Sequence, residues 1–212
     1  MSNLKKDYGI VPLFSCPLFV KDDITAEDSE VEYLKSLQME RMSTDNGDYS
    51  IEKYVLDNSK VSNLKNKILK NICKYAYDEL KVSENIKFYI TNSWVVRHKK
   101  MDWAQDHVHS NSILSGIYYL DVGEKSGKVN FIKETSNQTV FPLHMDLPFK
   151  EWNILNSKVW TFKPQNHQLF IFPSWLLHSV DKNRSDNLRY SLAFNVYLRG
   201  KIGTKEFQLE IK

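Results

Sequence analysis

The sequence predicts a single, mainly β domain: an antiparallel sandwich or barrel with helices packed on its outside. Three observations carry that expectation. Beyond Asn85 the chain turns into short stretches rich in aromatic and β-branched residues, over 86–97, 113–121, 128–133, 158–162, 168–172 and 188–198. Turn signals at Gly123, Ser126-Gly127, Pro164, Pro173-Ser174 and 183–187 separate many of them, as a many-stranded antiparallel fold requires. The 212 residues, 42% apolar and 26% charged, suit one domain with ample core. Its expected parts are helical N-terminal support over 1–85, a β core over 86–200 and a C-terminal tail over 201–212.

Taken in order, the first apolar run, over 10–20, follows Lys5 and Lys6 but is interrupted by Pro12 and Pro17 and ended by Asp22 and Asp23. It lacks a small-x-small cleavage site, and no stretch approaches the ~20 apolar residues of a bilayer span. A soluble protein without a membrane partner is expected. Thr25-x-x-Asp28 resembles a capping box and Val31, Leu34 and Leu37 recur at helical spacing, predicting a helix over 26–39. A second helix follows from the stripe Val61, Leu64, Ile68, Ile72, Ala76 and Leu80, with Lys65, Lys67, Lys70 and Lys74 forming a solvated face. Between them, 43–50 is polar around Asp45-Asn46-Gly47 and reads as a turn or loop.

The charge inventory excludes several function classes. A net charge of +3, from 29 Lys+Arg against 26 Asp+Glu, is too balanced to mark a phosphate-binding surface, so nucleic acid is not an expected partner. Seven glycines supply no phosphate-cradling loop. Two cysteines, Cys16 and Cys73, build neither a disulfide framework nor a four-thiolate zinc site, and point to a reducing, cytoplasmic setting.

Six histidines remain as the chemically informative residues. In an extended segment residues two apart share a face at roughly 6.5–7 Å, so His107-Val108-His109 offers two imidazoles that can close on one metal ion. An isolated His-x-His is commonly a surface or hydrogen-bonded pair, so a third ligand must be found. His178, after the apolar stretch 169–172 and the Pro173-Ser174-Trp175 turn, is the best candidate. His98, flanked by Arg97, Lys99 and Lys100, reads as solvent-exposed, and His144 and His167 lie in loop-like stretches without a metal role. Arg189 and Ser191 share one face of an otherwise apolar strand, and a buried guanidinium there requires an anionic partner from protein or ligand.

His107-Val108-His109, Ser115-Gly116-Ile117-Tyr118-Tyr119-Leu120, Leu169-Phe170-Ile171-Phe172-Pro173-Ser174-Trp175-Leu176-Leu177-His178 and Arg189-Tyr190-Ser191-Leu192-Ala193-Phe194-Asn195 together resemble the iron(II)- and 2-oxoglutarate-dependent oxygenases. The resemblance is to the small bacterial and phage branch, more distantly to prolyl hydroxylases. It covers residues 90 to 198, and more weakly the opening Val11-Pro12-Leu13-Phe14 and the two helices. It implies a double-stranded β-helix of the jelly-roll, cupin-like kind. It also implies Fe(II), 2-oxoglutarate as cosubstrate and O2, with hydroxylation of a small-molecule, amino-acid or peptide substrate and release of succinate and CO2. On the matching positions His107 and His178 correspond to the two histidines of the iron triad, and Arg189 to the residue that pairs with the distal carboxylate of 2-oxoglutarate. Tyr119 and Ser191 correspond to groups supporting that carboxylate, and Asn92, Trp94 and Arg97 are candidates for the pocket wall.

One departure stands out. Most of the superfamily carries Asp or Glu where this chain has His109. Asp106 would point to the opposite face of an extended segment and Asp102 lies further off, so a three-histidine site is expected. The same ligand set would serve a zinc hydrolase or hydratase, or a cupin-like metalloenzyme. Neither explains Arg189-x-Ser191. A jelly-roll binding module with structural histidines, and Trp94, Trp103 and Trp175 lining a groove, is the non-enzymatic alternative. The loop 134–156, with His144, is a candidate lid.

Overall fold

The structure is a computed structural model and describes residues 10, 12, 14–42, 47–133 and 147–212. It opens with β1 (Phe19–Lys21), α1 (Asp28–Ser36), β2 (Met39–Arg41), β3 (Asp48–Ser50) and α2 (Ser62–Cys73). The strands of the core follow: β4 (Lys87–His98), β5 (Ala104–His107), β6 (Leu114–Asp121), β7 (Val129–Ile132), β8 (Val159–Phe162), β9 (Leu169–Pro173), β10 (Leu177–Val180) and β11 (Arg189–Ile202), with β12 (Leu209–Ile211) at the end. The large sheet has the order β1-β9-β6-β11-β4-β3-β2, with β12 paired to β11, and the small sheet has the order β5-β10-β7-β8. From β4 to β11 the chain passes back and forth between the two sheets, the winding of a double-stranded β-helix.

Period-two alternation divides each strand between two environments. On β11, Tyr190, Leu192, Phe194 and Val196 join the main core, and their neighbours in register do the same: Val95 on β4, Leu114, Tyr118 and Leu120 on β6, Leu169 and Ile171 on β9. Helix α2 covers this outer face with Leu64, Ile68 and Ile72, which recur every four residues as one buried stripe. The opposite face of the large sheet looks at the small sheet across a second apolar cluster of Ile117, Tyr119, Val129, Phe131, Phe170 and Phe172. Arg189, Ser191, Ala193 and Asn195 therefore point between the sheets.

The helices dock through a buried carboxylate. Glu30, 2% exposed, bonds back to the Glu27 amide at 3.0 Å to complete a capping box for α1. Its other oxygen accepts from the Leu64 amide at 2.7 Å in the first turn of α2, where unpaired amides and the helix dipole favour a negative charge. The box thus lies two residues beyond the predicted Thr25-x-x-Asp28, because Glu27 and Glu30 supply both reciprocal bonds. After Cys73 the helix widens into a π-helical segment, Lys74–Glu79.

The six predicted strand stretches correspond to β4, β6, β7, β8, β9 and β11. Residues 43–50, read as a loop, contain β3, which pairs with both β2 and β4. Arg97, a pocket candidate, faces away from the sheet interior and donates to Asp48 Oδ2 through Nε at 3.1 Å and Nη2 at 2.6 Å. Asp48 also receives Arg41 at 3.1 Å and Lys99 at 3.1 Å. Burial opposes ionisation of Asp48, but these bonds outweigh it and hold its carboxyl down to about 2. Residues 134–146, with His144 and most of the candidate lid, and Val11 and Leu13 of the opening motif lie outside the described residues.

Candidate active site

The site is set by register across the small sheet. His178 on β10 pairs directly with His107 on β5 and, on its other side, with Phe131 on β7. Residues directly opposite in a sheet share a face, so these three side chains point inward together. His109 lies just past β5, where its amide donates to the Ser174 carbonyl at 3.0 Å in the β9–β10 turn. One ligand-capable nitrogen of each of His107, His109 and His178 lies within 4.8 Å of those of the other two.

Hydrogen bonding decides which nitrogen each ring presents. The Nδ1 atoms of His107 and His178 face the carbonyl oxygens of Gln105 at 2.8 Å and Leu176 at 2.9 Å, and Nδ1 of His109 faces Oδ1 of Asn195 at 2.6 Å. Each oxygen can only accept, so each Nδ1 carries the proton and each Nε2 keeps a lone pair, the state a metal ligand needs. Burial, reinforced by the neighbouring His107, pushes His178 down to about 3, and burial lowers His109 as well. Both shifts favour the neutral form of these two rings, and the donor set of three imidazoles fits a divalent transition ion. Trp94 on β4 lies with its ring centroid 5.7 Å from that of His109, and Phe172 lies 4.8 Å from His178.

Aromatic rings connect this cluster to a second polar spot deeper between the sheets. Phe131 lies 6.1 Å from His178 and 6.4 Å from Phe170, and Phe170 lies 5.5 Å from Tyr119. There Arg189, 1% exposed, sits with its guanidinium carbon 5.4 Å from the Tyr119 ring centroid. Its Nη1 reaches the Ser126 carbonyl at a long 3.4 Å. Arg189 Nε and Tyr119 Oη are buried without a hydrogen-bond partner among the described residues. Burial disfavours the Arg189 charge and pushes Tyr119 up to about 12, so the pair is a buried cation beside a protonated phenol. A buried unpaired cation is costly, and an anion accepting from both groups would remove that cost. The residues present fit a dicarboxylate reaching from the histidines to this end.

Residues 92–195 match the family model described as "Putative 2OG-Fe(II) oxygenase". The chain belongs to the 2OG-Fe(II) oxygenases. No curated protein matches this oxygenase in sequence. Among solved structures it is similar to the alpha-ketoglutarate-dependent epimerase SnoN of nogalamycin biosynthesis, with a TM-score of 0.59, 13% identity and coverage of 85% of this chain and 78% of that one. HygX from Streptomyces hygroscopicus, solved with nickel and 2-oxoglutarate bound, gives a TM-score of 0.55 at 11% identity, covering 85% and 82%. A Pseudomonas putida prolyl-4-hydroxylase gives a TM-score of 0.55 at 10% identity, covering 85% and 93%.

The structure of this oxygenase brings together His107, His109 and His178, and separately Arg189 and Tyr119. Ser191 is buried opposite Tyr119 in the β6–β11 register. Asn92 is in register with Asn195 and so shares the inner face with Trp94. Both alternative acids lie elsewhere: Asp102 receives Arg41 and the Lys99 amide, and Asp106 lines a groove on the other side of the small sheet with Trp103, Ser179 and Lys182. His98, read as exposed, is 2% exposed, and its ring occupies the space that a Cβ on Gly47 would take. His167 meets the Tyr118 hydroxyl at 3.0 Å. Asn195 was missed as a functional residue, although it shares the inward parity of Arg189 and Ser191.

Proposed function

We propose that this chain is a cytoplasmic Fe(II)- and 2-oxoglutarate-dependent dioxygenase that hydroxylates a small molecule, amino acid or peptide. His107, His109 and His178 would hold the metal, and Arg189 with Tyr119 and Ser191 would hold the distal carboxylate of 2-oxoglutarate. The observation that carries this reading is the pairing of two incomplete sites on one inner surface: three imidazole nitrogens converging at one end, and at the other a buried guanidinium whose Nε, like the nearby phenol, lacks a partner among the described residues. When bound, iron with 2-oxoglutarate supplies the oxidising power, using O2 and releasing succinate and CO2.

The chain's own residues orient and exclude. Arg189 and Tyr119 donate to the far carboxylate and thereby fix the direction from which the 2-oxo acid end meets the histidines. Phe131, Phe170 and Phe172 keep water from the space between, and Trp94 forms the wall beside His109. A zinc hydrolase would use the same histidines but leaves Arg189 and Tyr119 without a task. Anaerobic addition of Fe(II) and then 2-oxoglutarate should give a weak visible charge-transfer band, followed by succinate release when oxygen is admitted with a suitable substrate. Absence of the band with both ligands bound would overturn the reading.

A further inference from the structure

We propose that Asn195 is the positioning residue of the metal site, holding His109 in the tautomer and ring orientation that bring its Nε2 to those of His107 and His178. The inference rests on reading the three histidines as metal ligands.

The three rings are fixed in different ways. His107 and His178 are held locally, each by the carbonyl of the residue two places before it. His109 stands beyond the end of β5, and its Nδ1 is held by a side chain 86 residues away on β11. Its orientation is thus a tertiary property, set by Asn195.

Asn195 is itself fixed from several directions. Its Oδ1 accepts from the Ser115 hydroxyl at 3.0 Å as well as from His109. Ser115 touches Ser174 Oγ at 2.8 Å, and Ser174 reaches Ser112 Oγ at 2.9 Å. Asn195, Ser115 and Ser174 are all buried, so water does not compete for these bonds. The backbone carries a matching feature: the β4–β11 register slips between Asn195 and Val196, leaving Thr91 unmatched, and the Thr91 hydroxyl donates to the Asn195 carbonyl at 3.3 Å. A bulge of this kind re-aims a side chain at a functional site. An amide oxygen in this place can only accept, so the bond fixes the Nδ1–H tautomer of His109 and leaves its Nε2 free to act as a ligand.

The test uses the full chain, with Co(II) as the probe. Wild type, Asn195→Ala, Asn195→Asp, Ser115→Ala and His109→Ala are titrated against a competing chelator, with the Co(II) visible spectrum recorded and near-UV circular dichroism monitoring the fold. Asn195→Ala should lose about 10–100-fold in Co(II) affinity and take on the spectrum of His109→Ala, and Ser115→Ala should lose less. Asn195→Asp, which keeps the acceptor, should stay within several-fold of wild type with its spectrum. Wild-type affinity and spectrum in Asn195→Ala would overturn the inference, as would a folded Asn195→Asp that loses as much as Asn195→Ala. If Asn195→Ala does not fold, a Ser115→Ala protein with unchanged affinity and spectrum overturns it instead. A wild type that binds no Co(II), or binds it unchanged without His109, fails the three-histidine reading itself, which separates the two failures.

Discussion

Replacing Arg189 with Met removes a buried guanidinium while keeping an unbranched chain of similar reach, and its consequences for the free and loaded protein run in opposite directions. In the metal-loaded protein without 2-oxoglutarate, the 1% exposed Arg189 has one long bond to the Ser126 carbonyl and a partnerless Nε. Substituting a buried ionic group by a well-packed apolar one is neutral or stabilising by about 1–4 kcal/mol, which for a domain of this size holds or raises Tm by up to roughly 16 °C. With 2-oxoglutarate at about 100 times its Kd, the wild type gains about 2.7 kcal/mol, or roughly 5–11 °C. Losing one partner of a buried charge pair costs about 2–5 kcal/mol of affinity, at least about thirty-fold in Kd. At the same ligand concentration the variant then keeps less than about 1 kcal/mol of that gain, roughly 2–3 °C at most. The assay is thermal unfolding of Mn(II)-loaded protein under nitrogen, with and without 2-oxoglutarate. A variant that retains the full ligand-induced shift would refute the assignment of Arg189 to the anion.

Three further outcomes are expected. His109→Ala should purify with reduced metal content while Asp106→Ala keeps it, because Asp106 lies on the other side of the small sheet; elemental analysis reading the reverse would make the acid the ligand. Asp48 ionises near 2 in the fold against about 3.8 unfolded, so it contributes about 2 kcal/mol above pH 4, lost as pH falls through 2. Urea unfolding of Asp48→Asn should accordingly show a flatter acid limb than wild type, and identical limbs would count against the Asp48 network. Gly116→Ala would place a Cβ 2.1 Å from Phe194 Cζ, which should cost about 1–3 kcal/mol and lower Tm; an unchanged Tm would show that the ring has room to move.

The elements most legible in the sequence were those whose burial is uniform along the strand. β6 and β9 are buried almost throughout, and β11 over its first half, so their apolar runs announce them. β5 and β10 did not announce themselves, because Ala104-Gln105-Asp106-His107 and Leu177-His178-Ser179-Val180 are short and carry site chemistry where a core strand would carry aliphatics. The buried position of His98 was hidden for a different reason. Its flanking cations find the buried Asp48 and the exposed Asp186, while the ring slots beside a glycine that is distant in sequence. For Asn195 a signal did exist: counting in twos from Arg189 puts it on the inner face, where a short polar side chain amid aromatics needs a partner.

Charge balance explains why the departure at His109 is compatible with the rest of the site. In the proposed site, three imidazole ligands would leave both charges of a divalent ion uncompensated, and Arg189 would add a third. Tyr119 is held protonated and offsets none of this. The inward-facing positions of the eight core strands carry no carboxylate: Asp106 is turned to the far side of the small sheet, Asp48 and Asp102 are engaged by arginines, and Asp181, the acid that favours the Arg189 charge, is exposed and bonded to Asn130. A dicarboxylate bound there would cancel two of the three positive charges, whereas a carboxylate at position 109 would already have cancelled one before the cosubstrate arrived. Exchanging that carboxylate for a histidine held by a neutral amide moves charge compensation from the protein to the ligand. On the proposed assignment the empty pocket would be costlier and the dianion a larger part of what stabilises the loaded one.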